Sequence, residues 1–320
     1  MKTPQQKYPK KRSAGFSLIE FLVASVLSMI VLIAIGSGYF AARKINDVAL
    51  GRLGVQQDMR NAANLIVRDA RMAGSFGCFN MANKVPATVG SDGSTSPITP
   101  SNLMAAGQTT ALVPVKSFAG TTFNVTGFTA SGNALVFQYG IGSASITGNA
   151  DGTMTMQVPP DDPLQSISNA MPLVFSSCNV LDRPTSFAVT RGKDSMTINN
   201  INPALNTGHV AAEMSILRYM VSAYVIGTTT AGEQGLYRIQ LGDDNTWQSP
   251  QLLLPGITAM NISYGYVGNC APSGAAASDI SRETFTFANA LDATQNPPTP
   301  ALIRITLNGN TLAAQGKDME

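Results

Sequence analysis

The hydrophobic and polar positions divide the chain into three stretches of different pattern. The first is an apolar run, residues 21–42, that contains no charged residue. As a helix, these 22 residues would span about 33 Å, which matches the ~30 Å hydrocarbon core of a bilayer. The run therefore predicts one membrane-spanning helix.

The second stretch, residues 43–74, is amphipathic. Apolar residues recur at steps of three, four or seven, which is typical of one helix face, and Gly74 supplies a stop signal. We expect one helix from about Ser17 to Ala73 whose second half packs on a globular domain. The steps average nearer 3.6 than 3.5, which argues against a coiled coil. The apolar face comprises Val48, Val55, Met59, Ala62, Ile66, Ala70 and Ala73, and the charged residues expected mostly elsewhere are Arg52, Asp58, Arg60, Arg68 and Asp69.

The third stretch begins near Cys78 and alternates strand-like runs with turn signals. Loops rich in Gly, Ser and Pro separate the runs, notably residues 89–101, 271–278 and 293–300. No long helical pattern follows Gly74, so we expect an α+β fold with the N-terminal helix on a mainly antiparallel sheet. The predicted strands include residues 134–139, 153–158, 173–176, 215–226, 235–241 and 302–307.

The segment before the apolar run is short and basic. Its five positive charges precede Gly15, while Arg43 and Lys44 close the run on the other side. Charge counting therefore fixes the orientation only weakly, and the denser N-terminal cluster favours a cytoplasmic leader. An ordinary secretory signal has a shorter apolar stretch that precedes its cleavage site. Here the candidate site, between Gly15 and Phe16, comes before the run.

Glu20 lies at the start of this membrane segment. A carboxylate costs ~2.5–3.5 kcal/mol at the centre of a spanning helix and less near its end. Taken alone, Glu20 also fits a helix that begins after it. Combined with Gly15, Phe16 and the basic leader, Glu20 indicates a carboxylate that the membrane segment contains for a function, rather than a helix that simply begins after it.

The run Gly15-Phe16-Ser17-Leu18-Ile19-Glu20 resembles the prepilin motif of type IV pilins and type II secretion pseudopilins. The resemblance implies that a membrane prepilin peptidase cuts after Gly15 and methylates Phe16. It also implies that Glu20 neutralises the α-amino group of Phe16, or of a neighbouring subunit, during assembly. Opposite charges in a low dielectric offset each other's desolvation cost, which supports this role.

Further segments of the chain form a recognisable set. They are the helix exit 68–78, a hairpin at 223–225 and 235–238, a strand pair at 252–257 and 262–265, and a last strand at 303–307. These segments resemble the PilW family of minor pilins, whereas residues 85–210 show no such likeness. The resemblance implies a structural subunit that joins other minor pilins in a complex that primes type IV pilus assembly near the tip. Two alternatives stay open: a J-like pseudopilin of the type II secretion system, and a pilus-tip adhesin or DNA-uptake pilin.

These patterns predict four parts of the chain and a set of partners. The parts are a cleaved leader (1–15), a transmembrane half-helix (16–42), an amphipathic half-helix (43–74) and a strand-rich periplasmic domain (75–320). The expected location is the bacterial inner membrane and then the pilus fibre or tip. The expected partners are other minor pilins and the major pilin through the helix, the prepilin peptidase, inner-membrane lipid, and a tip adhesin as a further candidate.

Charge and cysteine content narrow the function classes. Without the five leader charges, 16 basic and 19 acidic residues give a net charge of −3, so no nucleic-acid partner is expected. Cys78, Cys178 and Cys270 are too scattered for a zinc site. One disulfide with one cysteine left over suits an oxidising compartment. Three single bridges are conceivable, and Cys78–Cys178 is favoured because Cys78 tethers the helix exit while Cys270 lies in a loop rich in Gly, Ala and Ser.

Catalytic and metal-binding motifs are missing from the sequence. His209 is the single histidine, with no partner residues suggested nearby. The acidic pairs Asp161-Asp162 and Asp243-Asp244 lack the alternating oxygen spacing of a calcium loop, and aspartate is common at such turns anyway. We therefore expect no enzymatic activity, no cofactor and no metal site.

Overall fold

A computed structural model describes most of the chain, in two compact units that comprise residues 1–57 and 58–320. Each unit is described by itself. The described residues are 17–80, 115–119, 124–150, 153–159, 161–178, 181–184, 186–192, 195–202, 205, 213–268, 284–290, 300–308 and 310–315.

A single helix, α1 (Leu18–Met72), runs through the first unit and into the second. It ends where Gly74 adopts a φ of 78°, a conformation that favours glycine and closes helices. The Gly74 amide then donates to the Gln138 carbonyl at 2.8 Å, which joins the helix exit to the sheet. The predicted helix and its stop signal are confirmed.

Within the first unit, the side chains of α1 are exposed along its described length, with Gly36 and Gly54 intermediate. Val48 and Val55, two residues of the predicted apolar face, are exposed at 50% and 54% within this unit. Apolar spacing predicts a helix face that is covered, but it does not identify what covers the face.

The largest sheet in the described residues has eleven strands. All of its pairings are antiparallel, as predicted. The strands are β3 (Val115–Ala119), β4 (Asn124–Val125), β5 (Phe128–Ala150), β6 (Thr153–Gln157), β7 (Leu173–Ser176), β8 (Leu181–Asp182), β9 (Ser186–Arg191), β10 (Met196–Asn202), β11 (Ser215–Thr229), β12 (Gln234–Gln240) and β13 (Gln251–Pro255). The main strand order is β13-β12-β11-β5-β6-β10-β9, with β3 and β4 beside β5, β7 beside β11, and β8 beside β7.

Two smaller sheets complete the described strands. A short hairpin at the helix exit pairs β1 (Ser75–Phe76) with β2 (Phe79–Asn80). The other sheet has the order β15-β14-β16-β17 and is also antiparallel. Its strands are β14 (Met260–Gly268), β15 (Thr284–Ala288), β16 (Leu302–Leu307) and β17 (Asn310–Gln315).

The core of the second unit lies on both faces of the central strands. On one face, Ala62, Ile66 and Ala70 of α1 join residues of β5, β11 and β14. On the other face, Phe76 and Phe79 join alternate residues of the same central strands, such as Val221. A third cluster gathers around β6, β10 and the 3-10 turn Pro163–Ser166. Because β11 is buried on both faces, its sequence reads as a nearly continuous apolar run rather than an alternating one.

Candidate functional site

The most unusual surface of the first unit is its exposed apolar helix. An 18-residue window within α1 has a mean hydropathy of 2.7, and none of the window is buried. By length and composition, α1 can therefore cross a membrane. An uncovered apolar surface of this size needs lipid or another protein against it. The exposed side chains include Leu18, Phe21, Leu27, Ile30, Ile33 and Phe40.

Three serines in this segment bond to the helix itself. Ser25 donates to the Leu22 carbonyl at 2.9 Å, Ser28 to the Ala24 carbonyl at 2.8 Å, and Ser37 to the Ala34 carbonyl at 2.9 Å. A hydroxyl that bonds one turn back needs no water. These bonds let the three serines face an apolar medium without an unsatisfied donor.

Glu20 caps the start of α1. The Ser17 amide donates to Glu20 Oε2 at 3.1 Å, so the side chain of the third helical residue bonds the residue just before the helix, as in a capping box. The spacing Ser17-x-x-Glu20 is the sequence signal for this contact. Gly15 and Phe16, the predicted cleavage and methylation residues, lie outside the described residues. The contact gives Glu20 a local role in addition to the predicted charge pairing.

In the second unit, the helix is held by a buried polar cluster around Asp69. Tyr224 Oη donates to Asp69 Oδ2 at 2.7 Å, Arg238 Nη2 donates to the same oxygen at 2.8 Å, and Tyr139 Oη donates to Oδ1 at 3.1 Å. Arg238 Nη2 also donates to Ser222 Oγ at 3.2 Å. These five residues, the Asp69 cluster, fasten α1 to three adjacent strands: β5, β11 and β12.

Electrostatics in the cluster follow from burial beside a carboxylate. Burial and the neighbouring Asp69 charge raise the pKa of Tyr139 and of Tyr224 above the usual value for a phenol. Burial alone would lower the pKa of Arg238, but Tyr224 and Asp69 raise it above its usual value. The phenols therefore remain protonated donors and the guanidinium remains a cation, so that both kinds of group satisfy the buried carboxylate.

The burial of Asp69 corrects a sequence expectation. Asp69 was placed with the residues that lie mostly off the apolar face, yet its side chain is 0% exposed. It follows Ala62 by seven residues and Ile66 by three, so helical geometry alone puts it on the buried face. Its charge argued for the polar side, and only the tyrosines and arginine on distant strands make the burial tolerable.

A disulfide joins Cys78 to Cys178, the pair that the sequence favours. Cys78 follows the first strand of the hairpin at the helix exit, and Cys178 follows β7. Ser176 on β7 also donates to the Phe76 carbonyl at 2.5 Å. Covalent and hydrogen bonds therefore tie the helix exit to β7. Cys270 lies outside the described residues.

The two acidic loops weighed as calcium sites have other partners. Asp162 Oδ1 accepts from the Leu164 amide at 2.9 Å and caps the 3-10 turn. Asp243 pairs with Arg218 at 2.5 Å, and Asp244 Oδ1 accepts from the Thr246 amide at 3.1 Å. Within the described ranges, no three His, Cys, Asp or Glu side chains group in a way that would hold a metal ion. His209 lies outside those ranges.

Comparison with known proteins bears on the N-terminal segment. Residues 10–36 match the family described as the prokaryotic N-terminal methylation motif. No curated protein matches the chain, and no solved structure matches it. The match includes Gly15, Phe16, Glu20 and the first turns of α1, and it indicates a structural, pilin-like protein. The matched motif, which leads into an exposed apolar helix that continues onto an antiparallel sheet domain, supports a type IV pilin-like protein.

Proposed function

We propose that this chain is a minor pilin of the type IV pilus, a structural subunit that helps to prime pilus assembly together with other minor pilins. The observation that carries the proposal is the N-terminal methylation motif at residues 10–36, which overlaps an apolar helix that nothing covers in the first unit. A subunit that is held in the membrane before assembly has two requirements. It needs a motif that the peptidase recognises, and it needs a helix whose apolar surface binds a hydrophobic partner.

The proposed cycle begins in the bacterial inner membrane. The helix anchors the precursor, with the leader in the cytoplasm and the sheet domain in the periplasm. Prepilin peptidase removes residues 1–15 and methylates Phe16. The apolar helix then leaves lipid and packs against the helices of other minor pilins and of the major pilin, so that its hydrophobic surface stays covered throughout.

Glu20 has two tasks in this cycle. Its carboxylate accepts from the Ser17 amide at 3.1 Å, which satisfies a donor at the free end of the helix. In the assembled fibre, it neutralises the α-amino group of Phe16 or of a neighbouring subunit. The amino group and the carboxylate would each be expensive alone in an apolar environment, and pairing offsets both costs.

The first experiment is the N-terminal mass of the protein from strains with and without prepilin peptidase. We expect loss of residues 1–15 and a methyl group on Phe16 only when the peptidase is present. An intact N terminus in both strains would mean an ordinary single-span anchor and would remove the proposed assembly mechanism.

A second experiment separates the two tasks of Glu20. Glu20→Ala removes both the capping acceptor and the charge, whereas Glu20→Gln keeps an oxygen that accepts from the Ser17 amide. If charge pairing drives assembly, both variants lose surface pili by tenfold or more while the protein remains in the membrane. Normal piliation with Glu20→Gln would leave capping as the only role of this side chain.

A strain from which this chain is deleted distinguishes the pilus from the type II secretion alternative. A minor pilin deletion lowers the count of surface pili and leaves enzyme secretion intact. A deletion that blocks secretion and spares pili would assign the chain to the secretion system, with its motif and helix serving a pseudopilin instead.

A further inference from the structure

The small sheet carries two exposed aromatic residues. Among the described residues of the second unit, Phe285 and Phe287 are the large hydrophobic side chains that are exposed, at 36% and 38%. Both lie on β15, the edge strand of that sheet, and their ring centroids are 6.4 Å apart. These two neighbouring exposed rings distinguish this surface from the rest of the described second unit, whose other large apolar side chains are buried or partly buried.

Strand register explains why these rings face outward. Tyr264 pairs with Ala288 and Tyr266 pairs with Thr286, and both tyrosines are buried in the core. Because side chains alternate along a strand, Phe285 and Phe287 must lie on the opposite face. The strand therefore presents its bulky apolar residues on the face away from the core. Of the small residues on the other face, Ala288 packs against the core and Thr286 is exposed.

Arg304 completes the surface. Its guanidinium carbon lies 3.8 Å from the centroid of the Phe287 ring. Gly265 lies beside this contact, since it pairs with Phe287 on one side and on the other with Leu302, two residues before Arg304. A Cβ at Gly265 would lie 3.0 Å from the Phe287 ring and 3.1 Å from the Leu302 side chain, so a larger residue would press on the ring that Arg304 contacts. No ion pair of Arg304 with a carboxylate occurs among the residues that the structure describes.

We propose that Phe285, Phe287 and Arg304, the outer patch, dock an apolar segment of another protein that carries a carboxylate. Stacking on a ring holds the guanidinium plane and leaves its N–H groups free at the edge, where a carboxylate accepts two parallel hydrogen bonds. Aromatic and arginine side chains are the residues that anchor protein interfaces. The proposal goes beyond assembly through the N-terminal helix, because the outer patch lies on the sheet domain.

Charge decides between this occupant and a second copy of the chain. A twofold contact of the outer patch with itself would bring Arg304 towards its own symmetry mate, and like charges at an interface are costly. An acidic, apolar segment satisfies the rings and the cation together. A segment of the chain itself, residues 269–283 or 291–299 on either side of β15, is the rival that the experiment must exclude.

The test is site-specific photo-crosslinking in cells of the native host. The photoreactive residue p-benzoylphenylalanine replaces Phe287 in the full chain, and the control replaces Thr286, the next residue on the same strand with its side chain on the opposite face. We expect an intermolecular adduct from position 287 and at least tenfold less from position 286. The cross-linked peptide, sequenced by mass spectrometry, should come from a different protein and contain Asp or Glu beside apolar residues.

Charge substitutions make the outcome decisive. Arg304→Glu should lower the adduct yield at least tenfold, and replacing the identified acidic residue by Lys in that background should restore it. Equal protease resistance of the variants shows that the fold survives. The proposal is overturned by the absence of an adduct, by a homodimer, by a cross-link within the chain to residues 269–283 or 291–299, or by an adduct that is insensitive to Arg304→Glu.

Discussion

Asp69 lies on a helix and accepts hydrogen bonds from side chains of three different strands. Taking a carboxylate and a guanidinium out of water is costly, and in this cluster the phenols of Tyr139 and Tyr224 supply the bonds that water would otherwise make. The cluster therefore does more than add stability. It fixes one rotation and one height of the helix against the sheet, because any slip would leave a buried charge without a partner.

Asp69→Asn should destabilise the protein by about 3–5 kcal/mol, the usual cost of breaking a buried ion pair. The asparagine has nearly the same shape, but it leaves the Arg238 cation buried without a counter-charge. It also replaces one of the two acceptor oxygens of Asp69 by an NH2 group, which donates. The measurement is urea unfolding of the mature chain in detergent, followed by the fluorescence of Trp247, the single tryptophan.

The matched control for this change is Asp58→Asn. Asp58 lies on the same helix and is exposed, so its loss should change the free energy of unfolding by less than about 0.5 kcal/mol. Similar effects of the two substitutions would show that the Asp69 cluster contributes nothing specific. The double variant Asp69→Leu with Arg238→Met should recover part of the loss, since it removes both buried charges together. Recovery is partial because the phenols of Tyr139 and Tyr224 lose their acceptor.

At the scale of elements, the apolar helix and five of the eleven strands of the largest sheet follow from local pattern. Those strands are β5, β6, β7, β11 and β12. Residues 302–307 were predicted as a strand and form β16 with those bounds. By contrast, β5 extends over Phe128–Ala150, far beyond the predicted 134–139, because pairing with β3, β4, β6 and β11 sustains a strand that contains glycines. Strand pairing over long sequence separations is a tertiary effect, and the local composition of β5 carries no sign of it.

Gly235 shows how closely two of these elements approach. A Cβ at this position on β12 would lie 2.3 Å from the Leu254 carbonyl oxygen of β13 and 2.6 Å from a Leu252 methyl group. Gly235→Ala should therefore separate the two strands or shift their register. We expect a loss of about 1–3 kcal/mol in the free energy of unfolding, the typical cost of overpacking, measured in the same urea experiment.

Gly148→Ala on β5 is the corresponding control. The nearest atom to a Cβ at Gly148 is a Thr155 carbon at 3.8 Å, an ordinary van der Waals contact. This variant should unfold within about 0.5 kcal/mol of the parent protein. If the Gly235 variant behaves in the same way, β13 must yield to the added methyl group without loss of pairing.

At the scale of the whole molecule, the sequence predicts the class of the fold and the identity of its N-terminal segment. The apolar run, the stop at Gly74 and the antiparallel sheet are local signals, and each is confirmed. The order of the strands, the division into two units and the outer patch depend on which distant segments meet. No single stretch of sequence determines those contacts. Helical spacing alone places Asp69 on the buried face, but the tyrosines and the arginine that make its burial tolerable lie on distant strands.

The disulfide acts at this largest scale, because Cys78 and Cys178 are separated by 100 residues. Closing a loop of that length removes conformational entropy from the unfolded chain, and a chain-entropy treatment gives up to ~4.7 kcal/mol of stabilisation. The double variant Cys78→Ser with Cys178→Ser should lose about 2–5 kcal/mol in urea unfolding. Cys78 is exposed and Cys178 is partly exposed, so the serines themselves add little burial cost.

Cys270→Ser is the control and should leave the free energy of unfolding unchanged. Reducing agent should lower the stability of the parent protein by the same amount as the double substitution. Loss of the reductant effect in the Cys270→Ser variant would mean that Cys270 forms the bridge and would reassign the pairing.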